Sequence, residues 1–383
     1  MAILMLLLLA MLAVHLSLGL RFSRPFHADE IWTVNAILAN RFASLIAFIL
    51  GQDSHPPFYY LVCKVWSLLG FDSIPGVRLL SYGFSMTTLL VFTVFHLRYR
   101  VVSFLAPCLL VATNPLFTYY STFVRPYALV VLLAALVILS ALALRTQSAS
   151  VQGQRKSVFA PGERTKLQVI FYASCLILGL THYYGTLLVV ILLFWDLFER
   201  RISSKRIIGS AIMLTLLAWP ILQILFGSLN YQVQSNGWVK VVPFLSTLNN
   251  LLMGVFPLQL LSRQPHYIFS LAMLVALLVV SRGPAPRWQL SASLARLRSV
   301  SISTVEYLFI PILLIFLFSL IADQKTPFST PYYFLVCLPA VAVLFGMFIH
   351  RIANRISPAV ACLLLGAVAS AQWLLAVEMA RQA

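Results

Sequence analysis

The sequence predicts an all-α polytopic membrane protein with about ten or eleven transmembrane helices. Three observations predict it. Hydrophobic residues make up 61% of the 383-residue chain and charged residues only 10%, against about 25% charged in an ordinary soluble domain. The apolar residues fall in long, continuous runs, whereas a membrane barrel would alternate them. The charges fall in the short stretches between the runs. In lipid every backbone N–H and C=O must be paired within the protein, so continuous apolar runs fold as helices.

The runs place helices at 1–20, 76–97, 101–118, 127–144, 167–181, 185–198, 207–228, 267–281, 306–322, 332–350 and 357–377. The first run has no basic residue before it and no small-residue cleavage site after it. It is therefore expected to be a retained transmembrane helix and not a signal peptide. Residues 1–383 are expected to form one membrane domain. The 145–166 and 282–305 loops, both basic, are expected to be cytoplasmic, the second with a short amphipathic helix.

A net charge of +17 does not point to nucleic acid, because its basic residues flank apolar runs. It reads as topology. Seventeen of the 27 Lys and Arg residues fall in Arg98/Arg100, 145–166, 199–206, 282–298 and Arg351/Arg355. An excess of Lys and Arg marks cytoplasmic loops, so this set is expected inside, with the N-terminus. The five cysteines form no CxxC pair. Buried free thiols are expected, with neither a disulfide framework nor a zinc site.

The connection 21–75 is then extracytoplasmic, and it is too long for a simple link. Ile31, Val34, Ile37, Leu38, Phe42, Leu45, Ile46 and Ile49 recur near helical spacing, which predicts a helix lying at the membrane surface. A second helix is predicted to start at His55-Pro56-Pro57, with Asp53 or Ser54 as its cap.

Four of the ten acids, Asp29, Glu30, Asp53 and Asp72, lie in this one segment. Asp29 and Glu30 suit a helix N-terminus through its dipole. They equally suit a general base and a supporting carboxylate beside the membrane. Successive helical residues point about 100° apart, so the two should have different roles. Asp53, His55, Tyr59 and Tyr60 at a water–lipid boundary suit a sugar or phosphate site, and His55 also suits a plain helix start. Arg78, Arg125 and His182 fall on the same side. The arginines could simply snorkel, but an ionisable residue between two short apolar runs is a functional candidate by default.

The order of these motifs resembles the GT-C-type glycosyltransferases. They are Asp29-Glu30, then His55-Pro56-Pro57-Phe58-Tyr59-Tyr60, Arg78-Leu79, Tyr119-Tyr120-Ser121, Arg125-Pro126-Tyr127 and Thr181-His182-Tyr183. The similarity is to bacterial relatives of dolichyl-phosphate-mannose protein mannosyltransferases and of lipid A aminoarabinose transferases, over roughly the first half of the chain. The resemblance implies an inverting sugar transfer from a polyprenyl-phosphate donor at the extracytoplasmic face of a bacterial inner membrane. The acceptor would be a glycan, a lipid or a protein. It implies Asp29 as the catalytic base and Glu30 as its support. Arg78 and Arg125 become candidates for steadying the leaving phosphate. His55, Tyr59, Tyr60, Tyr120, Tyr127 and His182 become candidate substrate contacts.

The sequence departs from the family pattern at two points. Phe123 stands where an acid is common two residues before Arg125. Tyr332-Tyr333 stands where Arg-Tyr is usual, leaving Lys325 as the nearby cation. Asp29, Glu30 and a sugar phosphate could together hold Mg²⁺, although no His/Cys cluster calls for a metal. Two further function classes stay open. One is a transporter or flippase of a lipid-linked or small polar substrate, against which no internal repeat is visible. The other is a non-catalytic polyprenyl-phosphate binder.

Overall fold

A computed structural model of the chain describes residues 25–53, 55–99, 105–151, 162–198, 204–223, 247–248, 250–252, 292–323 and 331–382. Most of these are helical, with no strand among them. The helices predicted at 1–20 and 267–281 lie outside the described residues.

Three short helices come first: α1 (Ala28–Ala39), α2 (Phe42–Gln52) and α3 (Phe58–Leu68). The bundle follows as α4 (Ile74–Tyr99), α5 (Leu105–Thr113), α6 (Pro115–Tyr120), α7 (Tyr127–Val151), α8 (Glu163–Gly179), α9 (Tyr183–Phe198), α10 (Ser204–Gln223) and α11 (Ala292–Asp323). A 3-10 segment (Pro331–Cys337) leads into α12 (Leu338–Arg355), and α13 (Pro358–Gln382) closes the chain. Among the described residues, five helices are long and apolar enough to cross a membrane: α4, α7, α11, α12 and α13. Shorter apolar helices span Tyr183–Asp196 and Ile208–Ala218.

Helix α7 is the axis. Of its residues 127–144 all but Leu136 are buried, packed against α4, α8, α11, α12 and the 3-10 segment. This fits a sequence apolar on every face, since a helix apolar all round belongs inside. The outward faces of α4, α10, α11 and α13 expose Leu90, Ile212, Leu317 and Leu363, as a lipid-facing surface requires.

The surface segment folds as two helices where one was predicted. Asn40 leaves helical backbone and its Nδ2 donates to the Ala36 carbonyl, so the chain restarts at Arg41. The apolar stripe divides: Val34, Ile37, Leu45 and Ile49 are buried, while Ile31, Leu38, Phe42 and Ile46 are exposed. Lys64 on α3 donates to the Ile37 carbonyl (2.7 Å), supplying a partner to an otherwise open helix end.

Other boundaries also differ. The 101–118 helix is broken at Asn114, whose side chain caps α6 through the Phe117 N–H. Pro115 follows it, and proline favours a helix start over a helix interior. Cys63, Cys108, Cys175 and Cys337 are buried free thiols; Cys362 is free but exposed, on the outward face of α13.

The two ends of α4 define the depth of the bundle. Arg78 lies near its start and Arg98 in its last turn. Twenty helical residues separate them by about 30 Å, the thickness of a hydrocarbon core. At the far end Arg98 and Tyr99 bind Glu163 of α8. The near end carries α1–α3.

Candidate functional site

The site is built from the N-terminus of α1 outward. His27 caps the helix: its Nδ1 accepts the Asp29 N–H (3.2 Å), and the Glu30 carboxylate accepts the His27 N–H (3.2 Å). The acidic first turn suits the helix dipole. As the 100° spacing predicts, the two acids diverge.

Glu30 points inward and is fully buried. Arg78 grips it from two sides, Nε to Oε1 at 2.9 Å and Nη2 to Oε2 at 2.6 Å. The Val124 N–H donates to the same Oε1 (3.1 Å). Arg78 is itself fully buried, with its remaining Nη2 bond to the Pro25 carbonyl (3.2 Å). Glu30 and Arg78 thus fix α1, α4 and the 121–126 loop to one another. Glu30, saturated by donors, is not arranged to share a metal with Asp29. Among the described residues no group of three His, Cys, Asp or Glu side chains could hold a metal.

Asp29 points outward, with 48% of its side chain exposed. Its Oδ1 lies 3.2 Å from Nη2 of Arg125. Arg125 is nearly buried, and its Nη1 donates to Asp53 Oδ2 (3.0 Å) and to the Tyr60 hydroxyl (2.9 Å). Its guanidinium also lies over the Trp32 ring. The Nε of Arg125 is buried with no hydrogen-bond partner among the described residues.

Asp53 is the hub. It caps nothing on α3, whose N-cap Pro57 has no side-chain bond. Its Oδ1 instead accepts the His55 backbone N–H (3.0 Å) and the His55 Nδ1–H (2.7 Å), and its Oδ2 accepts from Tyr60 and Arg125. Burial alone would raise the Asp53 pKa. The His55 contact, the Arg125 charge and the Tyr60 hydroxyl outweigh it and hold the carboxyl well below the usual range. Burial, then the adjacent Asp53 carboxylate, keeps the Tyr60 phenol above its ordinary range.

His182 sits in the α8–α9 turn, which is tied to α3 by a bond from the Phe58 N–H to the Leu180 carbonyl (3.1 Å). That tie brings the His182 and His55 rings to 5.1 Å. The Tyr184 N–H donates to His182 Nδ1 (3.1 Å), which puts the proton of the neutral ring on Nε2. Nε2 is buried without a hydrogen-bond partner among the described residues. Burial, with His55 alongside, lowers the His182 pKa well below 6.5.

An aromatic wall stands beside these groups. Tyr127 lies 4.7 Å from Tyr120 and 4.8 Å from Tyr332, ring centre to ring centre, and Tyr333 lies 5.1 Å from His182. Tyr332 and Tyr333 arrive on the 3-10 segment.

Of the residues singled out in the sequence, Asp29, His55, Tyr60, Tyr120, Arg125, Tyr127 and His182 converge here. Tyr59 does not: it is fully buried and bonds Ser81 on α4 (3.0 Å), because it is one residue out of phase with Tyr60. Arg78 is committed to Glu30. Lys325 lies outside the described residues. Asp53, expected either as a cap of α3 or as the acid beside His55, Tyr59 and Tyr60, bonds His55, Tyr60 and Arg125. The two carboxylates on Arg125 come from Asp29 and Asp53, while Phe123 packs its ring against His27 and Tyr120.

The chain is similar in structure to ArnT from Cupriavidus metallidurans. It superposes on that protein bound to undecaprenyl phosphate with a TM-score of 0.55 at 15% identity. On the apo state the score is 0.53 at 14% identity. In both, the match covers 93% of this chain and 60% of the other, so the chain spans less than two thirds of their length. The fold is GT-C-like. No protein-family model matches the chain, and no curated protein matches it in sequence.

Proposed function

We propose that the protein transfers a sugar, with inversion, from a polyprenyl-phosphate donor to a hydroxyl acceptor at the extracytoplasmic membrane face. One observation carries this reading: a half-exposed carboxylate, Asp29, is held 3.2 Å from a nearly buried arginine, Arg125, at the end of a GT-C-like bundle. The resemblance of the motifs and the undecaprenyl phosphate bound by the structural neighbour support a lipid phosphate as the donor's anchor.

In this reading Asp29 takes the proton of the acceptor hydroxyl as its oxygen attacks the anomeric carbon. The bond from that carbon to the phosphate oxygen breaks on the opposite side, and the phosphate leaves with the electron pair. The transition state resembles an oxocarbenium ion. Charge growing on the phosphate is stabilised by the Arg125 guanidinium. Glu30 and Arg78 hold the frame, and Tyr120, Tyr127, His55, Tyr60 and His182 line the place of the sugar. The uneven distribution of Lys and Arg along the sequence supports an outward-facing site, as in a bacterial inner membrane.

The test is the pool of polyprenyl-monophosphate sugars, read by mass spectrometry in a deletion strain carrying wild-type protein, Asp29→Asn or nothing. One such lipid should accumulate in the deletion and with Asp29→Asn but not with wild type. Equal pools in all three would refute the reading.

A further inference from the structure

The two carboxylates on Arg125 are not equivalent. Asp53 is buried and takes four donors from His55, Tyr60 and Arg125. Asp29 is half exposed and holds Arg125 through one contact of 3.2 Å. One guanidinium therefore faces two negative charges, and it still has a buried Nε–H without a hydrogen-bond partner among the described residues. An anion arriving from the open side therefore competes for Nη2, which among the described residues is paired with Asp29 alone, while the unused Nε–H lies buried behind it.

From this geometry we infer that Arg125 is an exchange cation: Asp29 occupies it in the empty site, and the donor's phosphate displaces Asp29 when it binds. Asp53 is the fixed partner that keeps the guanidinium in place through the exchange. The inference rests on the sugar-transfer reading and adds an order to it. While Arg125 neutralises Asp29, the base is restrained. It is released to take the acceptor proton only once a phosphate has entered. Donor binding thus precedes activation of the base, which guards the site against engaging an acceptor with no sugar to transfer. Asp53 is in this scheme a positioning residue, since it acts through Arg125 and His55.

A purely electrostatic view gives a different answer. Removing either negative charge near an anion site should tighten anion binding. Exchange requires opposite signs for the two carboxylates. The full-length protein in lipid nanodiscs would be titrated with a polyprenyl monophosphate, with inorganic phosphate as competitor. Asp29→Asn should bind the lipid about two- to fivefold more tightly, the size of a partly exposed ion pair. Asp53→Asn should bind it about tenfold or more weakly, because a buried pair is broken and Arg125 loses its anchor. Asp53→Glu, which keeps the charge, should recover part of that loss.

Unchanged or weaker binding by Asp29→Asn would overturn the exchange, and tighter binding by Asp53→Asn would overturn the positioning role. Inorganic phosphate should not compete at equal concentration; equal competition would overturn the assignment to a lipid-borne phosphate. Failure of the wild type to bind the lipid at all would instead remove the functional reading beneath the inference. The two failures are therefore distinguishable.

Discussion

Glu30 and Arg78, 48 residues apart in sequence, form a two-pronged ion pair with both side chains fully buried. The pair sits directly behind the candidate site. Glu30 is the chain neighbour of Asp29, and its second backbone donor, Val124, is the chain neighbour of Arg125. One carboxylate thereby sets the spacing of the two groups that face the open side.

Removing one partner of such a pair leaves a buried charge uncompensated, which costs about 3–5 kcal/mol. Arg78→Met is expected to lower stability by that amount, and Arg78→Lys to recover little, since a lysine cannot make two parallel bonds. Thermal unfolding in detergent would check both. Glu30→Gln/Arg78→Met should be less destabilised than the sum of the single changes. Strict additivity would show that the two residues are not coupled.

Asp29→Asn separates chemistry from folding. The side chain is half exposed and pairs only with Arg125 and, more distantly, His27 among the described residues, so its stability effect should stay below about 1 kcal/mol. Loss of a general base should lower turnover by about 10²–10⁴-fold. A variant with normal unfolding and no recovery of the donor pool is the expected outcome. An Asp29→Asn protein that fails to fold would mean that Asp29 is structural.

The membrane bundle was legible in the sequence because burial in lipid leaves long apolar runs as its trace. The divergence of Asp29 and Glu30 followed from helical geometry alone. What stayed hidden depends on contacts distant in sequence. Arg78 and Arg125 carry the same charge at similar helix ends, yet one is sealed against Glu30 and the other shares Asp29 and Asp53. The pairing of Asp53 with Arg125 stayed hidden because local pattern cannot show that the 121–126 loop delivers Arg125 to it. Tyr59 and Tyr60 are adjacent, and only packing decides which faces Ser81 and which faces Asp53. The break at Asn40 was missed because an apolar stripe continues in phase across it.

Tyr332 offers a test of the aromatic wall. Its half-buried ring lies 5.3 Å from Tyr120 and 4.8 Å from Tyr127. If the wall holds a sugar ring by its faces, Tyr332→Phe should change the donor KM less than about threefold. Tyr332→Ala should raise it by about tenfold, the size of a lost aromatic contact. Equal effects from both changes would assign the role to the hydroxyl.

His182 gives the protein a pH-dependent stability with a definite sign. Its pKa in the fold is well below 6.5, from burial first and then from the neighbouring His55. The unfolded chain therefore binds a proton more readily than the folded one, and stability must fall as acid is added. The contribution is fully present above about pH 6.5, the ordinary histidine value, and declines as the pH drops toward the folded value. Asp53, the nearby acid, stays charged across this range and does not supply the slope, because its own pKa is depressed. His182→Phe fills the same space without a titrating group. The unfolding temperature of the wild type should drop between pH 7 and pH 5 more steeply than that of His182→Phe. Parallel slopes would mean that His182 takes up its proton in the folded state at an ordinary pH, and that its Nε2 faces water and not the buried end of the site.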